Sequence, residues 1–159
     1  MYSSFAELNR DIWEPFRQAY ADRDLDAYLS LHTPDLVRVD VARNWIGGLV
    51  EYGEMSRPIF GKLVDRGDTA DIRFRFSERL ASADLASERG YYRMAIAVSE
   101  PEPHELVFVG QFHTIARLTD KGWRLSVDYE TGAATEEDYA SAHALDDYAT
   151  FLGHGEGPH

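Results

Sequence analysis

Residues 123–130 read WRLSVDYE, and apolar and polar side chains alternate through the whole stretch. A period of two describes a β-strand whose two faces differ in chemistry. Trp123, Leu125, Val127 and Tyr129 fall on one face, and Arg124, Ser126, Asp128 and Glu130 fall on the other. The acidic face looks either to water or into a pocket, and alternation alone leaves both open. Working backwards, TDKG (119–122) is a tight turn, and HELVFVGQFHTIARL (104–118) is a second strand. Antiparallel pairing across that turn sets Thr114 opposite Asp128 and Phe112 opposite Glu130, because opposed residues share a face. DIRFRFSERLAS (71–82) and RGYYRMAIAVSE (89–100) are two more strands, bounded by the breaks ADLASE and PEP.

Upstream of these four strands the period changes. Leu8, Ile12, Phe16 and Ala19 recur at helical spacing behind Ser4 and Glu7, which form a capping-box pair. Pro15 interrupts that helix. LDAYLSLH (25–32) predicts a short second helix, Thr33-Pro34-Asp35 a turn, and LVRVDVAR (36–43) a strand with Arg38 and Asp40 on its polar side. Residues 47–67 mix helix formers with glycines and Pro58, which predicts an irregular helical segment. A last helix is predicted over 135–151, capped by Thr135 and packing Tyr139 and Leu145 on the domain, and the tail GHGEGPH (153–159) follows. The order gives one α+β domain over residues 1–152. A strongly bent antiparallel sheet wraps the N-terminal helices into a cone with an apolar interior.

Bulk composition narrows the function classes. The chain has 159 residues, net charge −12 and no cysteine. The charge argues against nucleic acid or an anionic membrane as partner. Missing cysteines exclude disulfides and thiolate chemistry, no histidine spacing predicts a metal site, and no glycine-rich phosphate loop or serine-hydrolase motif is present. The charged start MYSSFAELNRDIWEPF does not read as a signal peptide, and no apolar run reaches membrane-spanning length. The expectation is a cytoplasmic protein without a cofactor.

Two stretches carry a resemblance. DLDAYLSLHTPDLVRVD (24–40) and GQFHTIARLTDKGWRLSVDYET (110–131), in an order of helix, helix, strand, helix and four long strands, are similar to the superfamily of nuclear transport factor 2-like and ketosteroid isomerase-like domains. The resemblance covers about residues 5 to 132 and is specific for the fold rather than for an activity. It implies late strands with one face in the cone and the other outside, against a second subunit. The polar set, Phe112, Thr114, Ala116, Ser126, Asp128 and Glu130, then lines the cavity. Val107, Val109, Ile115, Leu125, Val127 and Tyr129 make a homodimer face. The opposite assignment, with the apolar set as core, remains open at this level.

The resemblance also implies site residues. Asp40 stands where the isomerase branch carries its strand carboxylate, which acts as general base; its other reading is an exposed residue paired with Arg38 or Arg43. That branch holds a developing oxyanion with a helix tyrosine and a late-strand aspartate, whose places here are Phe16 and Thr114. Both departures count against steroid isomerisation, although Tyr20 lies one turn beyond Phe16. Asp128 and Glu130 are further acidic groups, and two carboxylates buried together would force one to keep its proton. A cavity walled by Phe16, Tyr20, Phe74, Phe112 and Asp128 is expected around Asp40. Arg73, Arg75, Arg79 and Arg93 read as a solvated strand face, with Arg93 able to reach an anionic ligand. His113 reads as outward-facing. The functional expectation is a pocket for a small apolar molecule, either in a cofactor-free isomerase, dehydratase or cyclase or in a non-catalytic binding or oligomerisation module.

Overall fold

The computed structural model describes residues 3–151. The first helical stretch is α1 (Ser3–Leu8), a π-helical turn over Asn9–Trp13, and α2 (Glu14–Ala21). Pro15 sits in the first turn of α2, where its missing N–H is tolerated, and the wide turn before it absorbs the mismatch. The capping box drawn from the sequence does not form. The Ser4 hydroxyl donates to the Ser82 carbonyl, and Glu7 accepts from the Trp123 indole at 3.1 Å. α3 (Leu25–Leu29) starts at Asp24, whose carboxylate caps the Ala27 N–H.

The expected turn at Thr33-Pro34-Asp35 lies inside strand β1 (His32–Asp40). Pairing there is irregular between His32 and Val37, and the short β2 (Trp45–Gly47) flanks only residues 38–40, so Pro34 breaks no ladder on that side. The segment expected to be irregular is a single helix, α4 (Leu49–Arg66), started at Gly48 and stopped at Gly67 with φ +68°. Tyr52, Ser56, Phe60 and Leu63 give it one buried stripe, while Pro58 faces outward.

Strands β3 (Thr69–Ala81), β4 (Leu85–Val98), β5 (His104–Thr119) and β6 (Gly122–Ala133) follow. The sheet order is β2-β1-β6-β5-β4-β3, antiparallel except where β1 runs parallel to β6. This is an α+β fold, with a curved sheet closing around the N-terminal helices. Phe5, Leu8, Ile12, Trp13 and Phe16 from the helices pack against Phe74, Phe76, Phe112, Trp123 and Leu125 from the sheet.

The helix predicted over 135–151 is much shorter. α5 (Glu136–Ser141) keeps the predicted Thr135 cap, in a capping box with Asp138. Ala142 then turns extended, and His143 exchanges two backbone hydrogen bonds with Phe76 at 2.8 Å, which ends the helix. A single 3-10 turn follows over Ala149–Phe151, and Phe151 enters the core. The tail expected over 153–159 and the end of the domain assigned to residue 152 lie outside the described residues.

Candidate functional site

Two β-bulges decide which side chains reach the interior. Between β5 and β6, Ile115 pairs Val127 but Ala116 pairs Leu125, so Ser126 is an extra residue and the parity of β6 flips there. Asp128 and Glu130 point inward on one side of the bulge, and Trp123 and Leu125 point inward on the other. Leu125 therefore leaves the proposed dimer face and joins the core, with no exposed surface. The alternation of WRLSVDYE is unbroken in sequence and broken in space. The pairs read across the turn, Thr114 with Asp128 and Phe112 with Glu130, are present.

The second bulge is at Ser77, between Phe76 and Glu78 in β3. It turns Arg79 from the solvated face expected of it into the interior, where its side chain has no exposed surface. Arg79 donates to Glu88 at 2.6 Å, to Asn9 at 2.8 Å and to the Leu145 carbonyl at 3.1 Å. Glu88 also accepts from the Trp13 indole. This satisfied network ties the π-helical turn, β3, β4 and the C-terminal segment together at one end of the cone.

Beyond it lies a cavity of about 500 Å³. Phe16, Tyr20, Phe74, Phe112, Thr114, Asp40, Asp128 and Glu130 all line it, together with Trp13, Tyr28, Phe60 and Met94. Arg93 does not. It lies on the opposite face and pairs with Glu136 at 3.0 Å, because position 93 falls out of phase with the inward Tyr92 and Met94. No residue between 133 and 151 lines the cavity; the C-terminal segment instead meets Asn9 and Arg79 through the Leu145 carbonyl. His113 lies on the outer side of the sheet, where Nε2 meets the Ser87 hydroxyl at 2.8 Å.

The polar groups of the cavity converge on Arg38. In the parallel β1–β6 register Arg38 is beside Asp128, and Asp40 is beside Glu130. Arg38 reaches Asp128 at 2.7 Å and Glu130 at 2.6 Å, and its guanidinium stacks 4.8 Å from the Tyr52 ring centre. Burial works against the Arg38 charge, but Asp128, the nearby tyrosines and Glu130 more than restore it. The mutual repulsion of two carboxylates expected from the sequence is thus met by a cation placed between them. Parity within LVRVDVAR already put Arg38 on the Asp40 side. Its pairing with Asp128 depends on the parallel contact of distant strands, which nothing local announces.

Glu130 also accepts from the Tyr92 hydroxyl at 2.5 Å. Tyr92 lies across Gly110 on the neighbouring strand, where an added Cβ would come within 2.5 Å of its ring. Burial, helped by Glu130, pushes the Tyr92 hydroxyl above its ordinary value and keeps it a donor. Tyr20 is pushed up in the same way, first by burial and then by Tyr52. The Tyr28 and Tyr52 hydroxyls touch each other and are likewise raised by burial.

Asp40 is 5% exposed. One carboxylate oxygen accepts the Arg43 backbone N–H at 3.1 Å, closing the turn after β1. The other oxygen has the Arg43 Nε at 3.8 Å as its nearest cation, and the Arg43 side chain is 56% exposed. Asp40 therefore lines the cavity and is not the exposed residue of the alternative reading, although the Arg43 of that reading is its partner.

No protein-family model and no curated protein matches the chain in sequence. Solved structures do match its shape. A ketosteroid isomerase-like protein from Erwinia carotovora atroseptica is 16% identical with a TM-score of 0.61, over 85% of this chain and 100% of that one. A nuclear transport factor 2-like superfamily protein from Salmonella enterica serovar Typhimurium is 11% identical with a TM-score of 0.63, over 84% and 94%. A nuclear transport factor 2-like protein from Shewanella oneidensis is 16% identical with a TM-score of 0.60, over 82% and 98%. The chain has the nuclear transport factor 2-like cone fold.

Proposed function

We propose that this chain binds a small, mostly apolar molecule inside the cone, with its one polar end against Asp40, Arg38, Asp128 and Glu130. The observation that carries this reading is a roughly 500 Å³ cavity whose walls are largely aromatic and whose polar groups gather in one place. Tyr20 supports it, because its hydroxyl has no hydrogen-bond partner among the described residues and is held protonated. Calorimetry with 2-naphthalenemethanol tests the reading: the wild type binds one molecule, and Met94→Trp, which fills the cavity, does not. Equal binding by both proteins places the molecule elsewhere and removes the reading.

A second reading adds turnover of a cofactor-free isomerase or lyase type. The nearly unpaired oxygen of Asp40 favours it as the base, with Asp128 held by Arg38 in the same cavity. Asp40→Asn, which keeps the shape and cannot take a proton, then abolishes exchange of a bound ketone's α-hydrogens with solvent. Phe16, which has no polar hydrogen to donate, and Thr114, whose hydroxyl is turned to the Glu88 carbonyl at 3.4 Å, favour binding alone, and binding is the primary conclusion.

The outer sheet face presents Val107, Val109, Ile115, Val127 and Tyr129, exposed or half-buried. In this reading it pairs two copies of the chain. Sedimentation should give a dimer at micromolar concentration, and Val127→Asp should give monomers or aggregates. A monomeric wild type removes the dimer. No helix among the described residues is long and apolar enough to cross a membrane.

A further inference from the structure

Charge decides which polar end the cavity takes. The charged side chains lining it are Asp40, Asp128, Glu130, Arg38 and Arg43. Arg43 is more than half exposed, so three carboxylates share the interior with one guanidinium. That guanidinium is already engaged by Asp128 and Glu130. Asp40 is left 95% buried, by its 5% exposure, with one oxygen that has no cation closer than 3.8 Å. A desolvated carboxylate without a close counter-ion favours the arrival of a cation.

We propose that the cavity selects a small aromatic molecule carrying one protonated amine, with the ammonium seated against Asp40. This rests on the small-molecule reading above and adds the ligand's charge. The surrounding rings act in the same direction. Phe16, Tyr20, Phe60 and Phe74 line the cavity, and aromatic rings attract an ammonium through their quadrupoles. The chain as a whole carries −12, which draws cations toward the mouth and repels anions. A carboxylate ligand meets opposition from the interior excess, from Asp40 and from the long-range field. Its cationic partners would be Arg38, which Asp128 and Glu130 already occupy, and Arg43, which is more than half exposed to water. In this assignment Asp40 is the anchor of the ligand.

The test uses three probes with one ring system, 2-naphthylmethylamine, 2-naphthalenemethanol and 2-naphthoate, titrated calorimetrically into the wild type near neutral pH. The amine should bind at least about tenfold more tightly than the alcohol, and the acid at least about tenfold more weakly, each step being of the size of one desolvated ionic contact. Asp40→Asn, whose amide oxygen still accepts the Arg43 N–H, should cost the amine at least about tenfold more affinity than it costs the alcohol. If the alcohol binds and the amine gains nothing, or if the acid binds most tightly, the amine assignment is wrong while the small-molecule reading stands. If none of the three binds, both are wrong. The wild-type ranking decides the matter even if Asp40→Asn fails to fold.

Discussion

At the scale of single residues, the interior is held by groups that work in one protonation state. His32 is the clearest. It is 5% exposed between Tyr28 and Tyr52, and its Nδ1 donates to the Leu29 carbonyl at 3.2 Å. Its Nε2 is buried with no partner, so a proton placed there would have nothing to bond. Burial accordingly lowers its pKa from the ordinary value of 6.5, against the pull of Asp128. The folded state prefers neutral His32 and the unfolded state takes up the proton first. Stability is therefore full above the unfolded value and is lost as pH falls below it. The melting temperature should decline from about pH 7 to about pH 5, and His32→Gln should flatten that decline. His113 is lowered too, but it is far more exposed and stays in the variant as a smaller background. An unchanged slope in His32→Gln would show that the neutral imidazole contributes nothing to the fold.

At the scale of elements, the site depends on Ser126. The extra residue lets one strand present Trp123 and Leu125 to the core and Asp128 and Glu130 to the cavity. Without it, pairing that keeps the acids inside turns Trp123 and Leu125 to the outside, because a one-residue slip exchanges faces. Each is fully buried, and losing a large core side chain costs roughly 2–5 kcal/mol, so losing two approaches the whole stability of a domain. Deleting Ser126 should give a chain with collapsed NMR dispersion and no cooperative melt. A melt within a few degrees of wild type would mean the bulge is dispensable. These bulges also mark where the sequence stops being legible. The hairpin register through Thr114 and Asp128 follows from a turn and a period, both local. The reversal of parity at Ser126 and at Ser77 leaves no local mark, since serine suits either face of a strand. Hence local pattern alone points Leu125 outward and Arg79 to solvent, although each is buried by the fold. α4 was obscured for the opposite reason: Gly53, Pro58 and Gly61 weaken helix propensity, and the buried stripe from Tyr52 to Leu63 overrides them.

At the scale of the molecule, the cone divides its buried polar groups between two ends. Arg79, Glu88, Asn9 and the Leu145 carbonyl close one end, with every charged group matched. Arg38, Asp128, Glu130 and Asp40 gather in the open end, where Asp40 is only half engaged. The order of helices and strands was enough to expect the cone. The division was not, because it depends on β1 lying parallel to β6, a pairing between residues about 90 positions apart in the register that matches Arg38 with Asp128 and Asp40 with Glu130. On the proposed reading the closed end is the scaffold and the open end holds the ligand. A crystal structure grown with 2-naphthylmethylamine tests that account most directly. It should show the ring among Phe16, Phe60 and Phe74 with the nitrogen within hydrogen-bonding distance of Asp40. A cone filled by its own side chains, with the amine absent or bound on the outer sheet face, would contradict it.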